Sequence, residues 1–212
     1  MLMNAWNRNM SLRRTTGAAC SRRLAAIFIG VALIAGCAPP EPVFRSTDIT
    51  GAEYGRTLTL TDHHGQRHTL ADFRGKVVTI FFGYTQCPDV CPTALSGMSE
   101  VMRQLGPDGD RVQVLFVTVD PERDSQTLLS EYVPVFDKRF LGLYGTAEET
   151  AAVAKDFRVF YRKSGDVNGH YTIDHSAGTY IFDPTGRLRL YVRHAEDPAV
   201  IAADIKALLA GK

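Results

Sequence analysis

Lys76-Val-Val-Thr-Ile-Phe-Phe-Gly-Tyr-Thr-Gln-Cys-Pro-Asp-Val-Cys-Pro-Thr93 is the stretch whose reading decides the fold. Val77 to Phe82 is a run of β-branched and aromatic residues, short and apolar enough to be a strand buried on both faces. It ends at Gly83, and the chain then presents Cys87 and Cys91. Pro88 and Pro92 are tolerated only in a first helical turn, so a helix must begin here and run on through Leu105, with either proline as its first residue. In both cases the two sulfurs sit at a helix N-terminus, where the macrodipole and free N–H groups favour anions and lower a thiol pKa. The pair is therefore expected to consist of thiolates.

Outward from this stretch, the composition sets bounds. The 212 residues suffice for one ordinary domain, and 24 basic against 23 acidic side chains give no basic surplus that would point to nucleic acid. There are four cysteines. Cys20 lies in a basic leader with Arg13, Arg14, Arg22 and Arg23, followed by the apolar or small run Leu24 to Gly36. That run is too short to span a bilayer comfortably but fits a signal-peptide core. It ends in Ile34-Ala35-Gly36-Cys37, which resembles a bacterial lipoprotein cleavage site with Cys37 as the lipidated residue. Residues 1–36 are thus expected to be a leader, 37–50 a lipidated cysteine and tether with prolines between Ala38 and Arg45, and 51–212 the folded domain. Cleavage would leave Cys87 and Cys91 as the thiols, on the oxidising, extracytoplasmic (periplasmic) face of a bacterial membrane.

Within the domain, Thr57 to Leu70 alternates at Leu58 and Leu60 and turns over His63-His64-Gly65, which predicts a hairpin. A helix over Thr93 to Leu105 leads through Gly106-Pro107-Asp108-Gly109 to a second buried strand within Arg111 to Asp120. A helix joining two such strands is a βαβ unit, so the strands should be parallel. Cys87 and the loop Asp120-Pro121-Glu122-Arg123-Asp124 should then emerge on one edge of the sheet. Ser125 to Val133 reads as a modest helix and Phe140 to Tyr144 as a short strand. Thr146 and Glu149 form a capping box, and Val153, Phe157, Phe160 and Tyr161 mark the apolar face of the helix it opens. Ser164 to His170 reads as a polar insertion. Thr179 to Asp183 and Leu188 to Val192 flank the turn Asp183-Pro184-Thr185-Gly186 and form a second hairpin. Asp197 and Pro198 open a last helix, whose Ile201, Ile205, Leu208 and Leu209 face the sheet.

This order, with a cysteine pair between the first βαβ strand and its helix, resembles the thioredoxin fold with an N-terminal β-hairpin extension. The resemblance implies that the first strand of the late hairpin runs antiparallel to the central strand and begins beside the cysteines, which would deliver His175 to them. Two cysteines four apart at a helix start have Cβ atoms about 5–6 Å apart. A disulfide wants about 3.5–4.5 Å, whereas two metal–thiolate bonds of about 2.3 Å span the gap without adjustment. The spacing leans toward metal and leaves a disulfide open. With one imidazole added, soft thiolates and nitrogen suit Cu(I) or Zn.

Gly83-Tyr84-Thr85-Gln86-Cys87-Pro88-Asp89-Val90-Cys91-Pro92, Val119-Asp120-Pro121-Glu122-Arg123-Asp124 and Asp174-His175-Ser176 together resemble the Sco/SenC family of copper chaperones, over residues 45–210. The resemblance implies Cu(I) and Cu(II) binding by Cys87, Cys91 and His175 and delivery to the binuclear copper centre of the cytochrome c oxidase subunit that carries it. It also implies thiol–disulfide activity in some members, for which Cys87 and Cys91 would be the redox pair. Other copper chaperones and thiol reductases are further expected partners, as is the membrane through the lipid anchor. Two features depart from the family pattern: Gln86, where many members have His, and the lipoprotein-like leader, where many carry a transmembrane helix. A thioredoxin-type reductase would show Cys-x-x-Cys and a proline opening the hairpin strand, and Ser176-Ala177-Gly178-Thr179 has none.

The remaining polar residues have plainer expectations. His63, His64 and His68 are read as solvated in a polar hairpin, and His170 as a surface residue and the spare ligand candidate. Asp174 points away from His175 if the chain is extended there. Met98 and Met102, with Leu95 and Leu105, mark one helix face and so read as core. Asp120 and Glu122 form either a docking rim beside the metal or a solvated turn. Arg187, Arg189 and Arg193 read as the polar face of a strand.

Overall fold

The computed structural model describes residues 44–165 and 171–211. The leader, Cys20, Cys37, the tether up to residue 43 and His170 lie outside them. Strand β4 (Val77–Gly83) is the centre of the architecture, and all seven of its residues are buried. Its β-branched and aromatic side chains fill the space on both faces of the sheet, as a continuous apolar run requires. Helix α1 (Val90–Leu105) follows and leads to β5 (Val112–Thr118), which pairs with β4 in parallel from Val77↔Val112 to Gly83↔Thr118. The register puts Gly83 and Thr118 on one edge, so the cysteine loop and the 120–124 loop leave the sheet side by side.

The sheet is completed around this unit. On one side β6 (Leu141–Tyr144) runs parallel to β5, and the hairpin of β2 (Thr59–Asp62) and β3 (Arg67–Thr69) joins β6. On the other side β9 (Thr179–Phe182) runs antiparallel to β4, and β10 (Leu188–Val192) and the short β1 (Thr47–Asp48) follow outward. The expected thioredoxin-like arrangement with its N-terminal hairpin is therefore present. Phe81 is paired with Thr179, so β9 starts at the same edge on which β4 ends. Helix α2 (Gln126–Tyr132), capped by Ser125, packs beside β6. Helix α3 (Ala147–Asp156) opens with the Thr146–Glu149 capping box, and α4 (Pro198–Leu209) with Asp197 as cap packs against α1. Met98 and Met102 are in the core, as their helix face required. Among the described residues no helix is long and apolar enough to cross a membrane.

Two expectations fail, the first through the local backbone and the second for a tertiary reason. Helix α3 does not extend to Phe160 and Tyr161. It stops at Asp156 because Arg158 turns into the left-handed region at φ 56° and the Val159 N–H closes back on the Ala154 carbonyl at 2.8 Å. Tyr161 then opens β7 (Tyr161–Gly165), which pairs antiparallel with β8 (Tyr171–His175) in a sheet of its own. Of the expected polar insertion Ser164 to His170, Ser164 and Gly165 belong to β7 and the rest lies outside the described residues. The histidines of the first hairpin are also not all solvated. His63 is 4% exposed and its Nδ1 accepts the Gly142 N–H at 3.0 Å, while His68 Nε2 lies 2.9 Å from Asp62 Oδ2. Neighbouring β6 covers this end of the hairpin, which no local pattern shows.

Candidate metal centre

Cys87 precedes the N-cap of α1, Asp89, and Cys91 lies in its first turn, so one sulfur sits just outside the helix and the other on its inner face. Neither proline is the first helical residue. Val90 is, and Pro92 occupies a first-turn position whose missing N–H no intrahelical bond needs. The Cys91 N–H points at the Cys87 sulfur at 3.5 Å. Cys91 is fully buried and Cys87 half-buried. Gly83 makes the burial possible: a Cβ on it would stand 2.7 Å from Cys91 Sγ.

His175 closes β8 and is brought to the cysteines from a distant point in the chain. Along an extended strand alternate side chains share a face, so Tyr171, Ile173 and His175 point inward while Thr172 and Asp174 point out. Asp174 accordingly pairs with Arg162 on the exposed side at 3.4 Å, while the imidazole nitrogens turn to the Ser176 carbonyl and Cys91 Sγ. The His175 ring stands edge-on to Phe81 and Tyr84. Its Nδ1 lies 3.0 Å from the Ser176 carbonyl, and its Nε2 lies 3.5 Å from Cys91 Sγ. A carbonyl can only accept, so Nδ1 carries the proton and Nε2 presents its lone pair to the sulfurs.

The two sulfurs and Nε2 all lie within 4.8 Å of one another, the only such group of metal-capable side chains among the described residues. Metal–sulfur and metal–nitrogen bonds of about 2.3 and 2.0 Å, at tetrahedral to trigonal angles, place sulfur and nitrogen about 3.5–3.7 Å apart. The 3.5 Å between Cys91 Sγ and His175 Nε2 fits that spacing. Two soft sulfurs and one imidazole with no carboxylate suit a soft ion such as Cu(I) and leave one side open.

The electrostatics differ from what the helix terminus suggests. Burial pushes the Cys91 thiol well up from its ordinary value, the neighbouring Cys87 adds to this, and the Tyr84 backbone opposes it. Desolvation thus governs this sulfur, which has no exposed surface at which water could solvate a thiolate. Burial likewise pushes the His175 imidazole down. Without metal, Cys91 is a neutral thiol beside a neutral imidazole, and an incoming cation must expel the Cys91 proton.

Several polar side chains, beside the site and away from it, are held by specific partners. Asp124 is 1% exposed and accepts from the Thr85 N–H, the Thr85 hydroxyl and the Thr118 hydroxyl at 3.1, 2.6 and 2.6 Å. Burial among neutral donors pushes its carboxyl up. Asp120 is neither rim nor solvated turn: it is 1% exposed and paired with Arg123. Glu122 is exposed and pairs with Lys163 at 2.6 Å. Arg187 and Arg189 are both tied to the Asp183 carboxylate.

The sequence matches the family described as SCO1/SenC over residues 46–210. The chain belongs to the SCO1/SenC family. Among curated SCO relatives, the bovine mitochondrial protein SCO2 homolog is 40% identical over 156 residues, which cover 72% of this chain and 59% of that one. The SCO1/SenC chain thus spans little more than half the length of such relatives. Among solved structures, that of Bradyrhizobium japonicum ScoI with copper bound is 42% identical, with a TM-score of 0.68 over 72% of this chain and 98% of that one. The solution structures of apo Sco1 from Thermus thermophilus are 38% identical, with a TM-score of 0.71 over 80% and 99%. The SCO1/SenC match and the thioredoxin-like sheet agree with the motifs that surround Cys87, Cys91 and His175.

Proposed function

We propose that this protein binds one copper ion through Cys87, Cys91 and His175 and delivers it to the copper-bearing subunit of cytochrome c oxidase. The observation that carries the reading is the convergence of two sulfurs and the free Nε2 of a neutral imidazole within 4.8 Å. The copper-bound ScoI relative supports the choice of metal. Three protein donors and one open side suit an ion that must be handed on, because an acceptor's ligand has to reach the metal before the donor's let go. Copper is cargo here, accepted as Cu(I) or Cu(II). Anaerobic Cu(I) titration of the reduced protein should saturate at one equivalent. His175→Ala, Cys87→Ala and Cys91→Ala should each weaken binding greatly, and mixing the loaded protein with an apo oxidase copper domain should move the metal. Binding by His175→Ala as tight as the parent's would overturn the three-ligand reading.

A second reading, thiol–disulfide exchange at Cys87 and Cys91, is favoured by one observation. Half-buried Cys87 is accessible for attack, while Cys91 lies behind it as a resolving thiol. The oxidase's copper-ligand cysteines would be its substrate. Catalysed reduction of that disulfide by the dithiol protein tests it, and no acceleration over a small-molecule dithiol would remove it.

Residues 1–36 act as a lipoprotein leader in this reading, with Cys37 lipidated, 37–50 as tether and 51–212 as the copper-binding domain on the periplasmic face. Mass spectrometry of the membrane-extracted protein tests this through a diacylglyceryl adduct on Cys37.

A further inference from the structure

Strands β7 and β8 carry His175 but share no hydrogen-bonded ladder with the main sheet among the described residues. Apart from the short connection from His175 to Thr179 of β9, side chains hold this pair against the rest of the domain, and several of their contacts meet at one residue. Arg123 lies where three segments meet. Its Nε pairs with the buried carboxylate of Asp120. Its Nη1 donates to Gln86 Oε1 at 3.2 Å and to the Tyr171 carbonyl at 2.9 Å. The guanidinium carbon lies 3.6 Å from the centre of the Tyr171 ring, a stacking distance, and 5.7 Å from that of Tyr84. The Tyr171 hydroxyl returns to the same Asp120 at 2.8 Å.

The segments so joined are those that bear the ligands. Gln86 immediately precedes Cys87, and Asp124, next to Arg123, grips Thr85 one residue further back. Tyr171 lies on the strand that ends in His175, on the same face as the imidazole. The 120–124 loop thus holds the cysteine segment with one residue and the histidine strand with its neighbour. An exposed ion pair would contribute little to such a task. The Arg123 side chain is 16% exposed and that of Asp120 1%, so this pair is largely out of water and its geometry is held. A second ion pair, Lys163 to Glu122, joins side chains 47% and 64% exposed, and the Lys163 ammonium lies 4.7 Å from the centre of the Tyr171 ring.

We propose that Arg123 is a positioning residue of the metal centre: it sets the place of His175 relative to the two sulfurs by pinning Tyr171 to the cysteine loop at Gln86. This rests on Cys87, Cys91 and His175 being the ligand set. Arginine is required because only its planar fork reaches a carboxylate, an amide oxygen and a carbonyl while stacking on a ring.

The test compares Arg123→Gln, Arg123→Lys and Lys163→Met in the full-length reduced protein. Arg123→Gln should still take one Cu(I) through its sulfurs, with affinity about 10–100-fold lower, the range found for residues that orient a ligand. The nitrogen contribution to the copper X-ray absorption spectrum should fall. The double variant Arg123→Gln/His175→Ala should bind no more weakly than His175→Ala, since both remove one interaction. Arg123→Lys, which keeps the charge but not the fork, should resemble Arg123→Gln, and Lys163→Met should resemble the parent. In metal-free protein, amide hydrogen exchange at 171–175 should quicken in both Arg123 variants while that of β4 stays slow. Parent-like affinity and exchange in a folded Arg123 variant, or an effect additive with His175→Ala, would overturn the proposal. Should Arg123→Gln fail to fold, Arg123→Lys decides on the same readouts. A parent that binds no copper would sink the ligand-set reading instead, and the metal-free exchange comparison would still judge Arg123.

Discussion

At the residue scale the site depends on an atom that is missing. Gly83 closes β4 with ordinary extended backbone, so its value is the absent Cβ, which would stand 2.7 Å from Cys91 Sγ and 2.9 Å from the rings of Phe116 and Phe81. All three neighbours are buried in a close-packed core, so making room for a Cβ means shifting side chains that are themselves packed. Gly83→Ala should therefore lower the unfolding free energy by about 1–3 kcal/mol. It should also weaken Cu(I) binding by displacing the Cys91 sulfur from His175. Denaturant melts and a competition titration against a Cu(I) chelator measure the two effects, and a variant unchanged in both would show that the sulfur does not need this gap. Cys91 itself illustrates how one residue obeys opposing rules. A helix N-terminus lowers a thiol pKa and burial raises it, and a side chain with no exposed surface follows the second.

At the element scale the β2–β3 hairpin extends the sheet beyond β6 and is organised by one carboxylate. Asp62 is 2% exposed and accepts the His64 and Gln66 N–H groups, both at 2.9 Å, with His68 Nε2 at 2.9 Å. Burial alone would raise its pKa, but the Gln66 N–H, His68 and the His64 N–H together hold it below the usual carboxylate range. A depressed folded pKa stabilises above the unfolded value, and that stability is lost as pH falls through the folded value. Asp62→Asn should cost about 1–3 kcal/mol at neutral pH. The gap between parent and variant should narrow once the pH drops below the ordinary carboxylate range. Urea melts at neutral and acidic pH check this, and a gap that does not depend on pH would mean that Asp62 acts by shape alone. The β7–β8 pair is the opposite case. Its inward face is only a few side chains long and is covered from outside the element, the His175 imidazole by the rings of Tyr84 and Phe81.

At the scale of the whole molecule, copper should act as a cross-link between segments that the chain keeps far apart. A ligand that binds only the folded state at a free concentration of 100 times its Kd stabilises by about 2.7 kcal/mol. For a domain of this size about 2–4 °C accompanies each kcal/mol, so Tm should rise by about 5–10 °C. His175→Ala should lose most of that rise, because it detaches the β7–β8 strands from the ion and leaves the helix start as sole holder. Thermal melts with and without Cu(I) measure it. An equal rise in parent and variant would mean that the metal ties only the cysteine segment.

What the sequence determined by itself is what nearest neighbours determine. The apolar run Val77–Phe82, the capping box at Thr146 and the turn at Asp183 each act through a few adjacent residues, and each is where the pattern puts it. The parallel pairing of β4 and β5 follows from one further step, the helix between them. Tertiary structure alone decided the burial of His63 and Asp120, the neutral Cys91 and the junction at Arg123. Charge, solvation and stacking depend on which distant segment closes over a side chain. Asp120, Arg123 and Tyr171 carry no local periodicity that announces their meeting, and they acquire their roles only when the sheet edge gathers their loops around the same few ångströms.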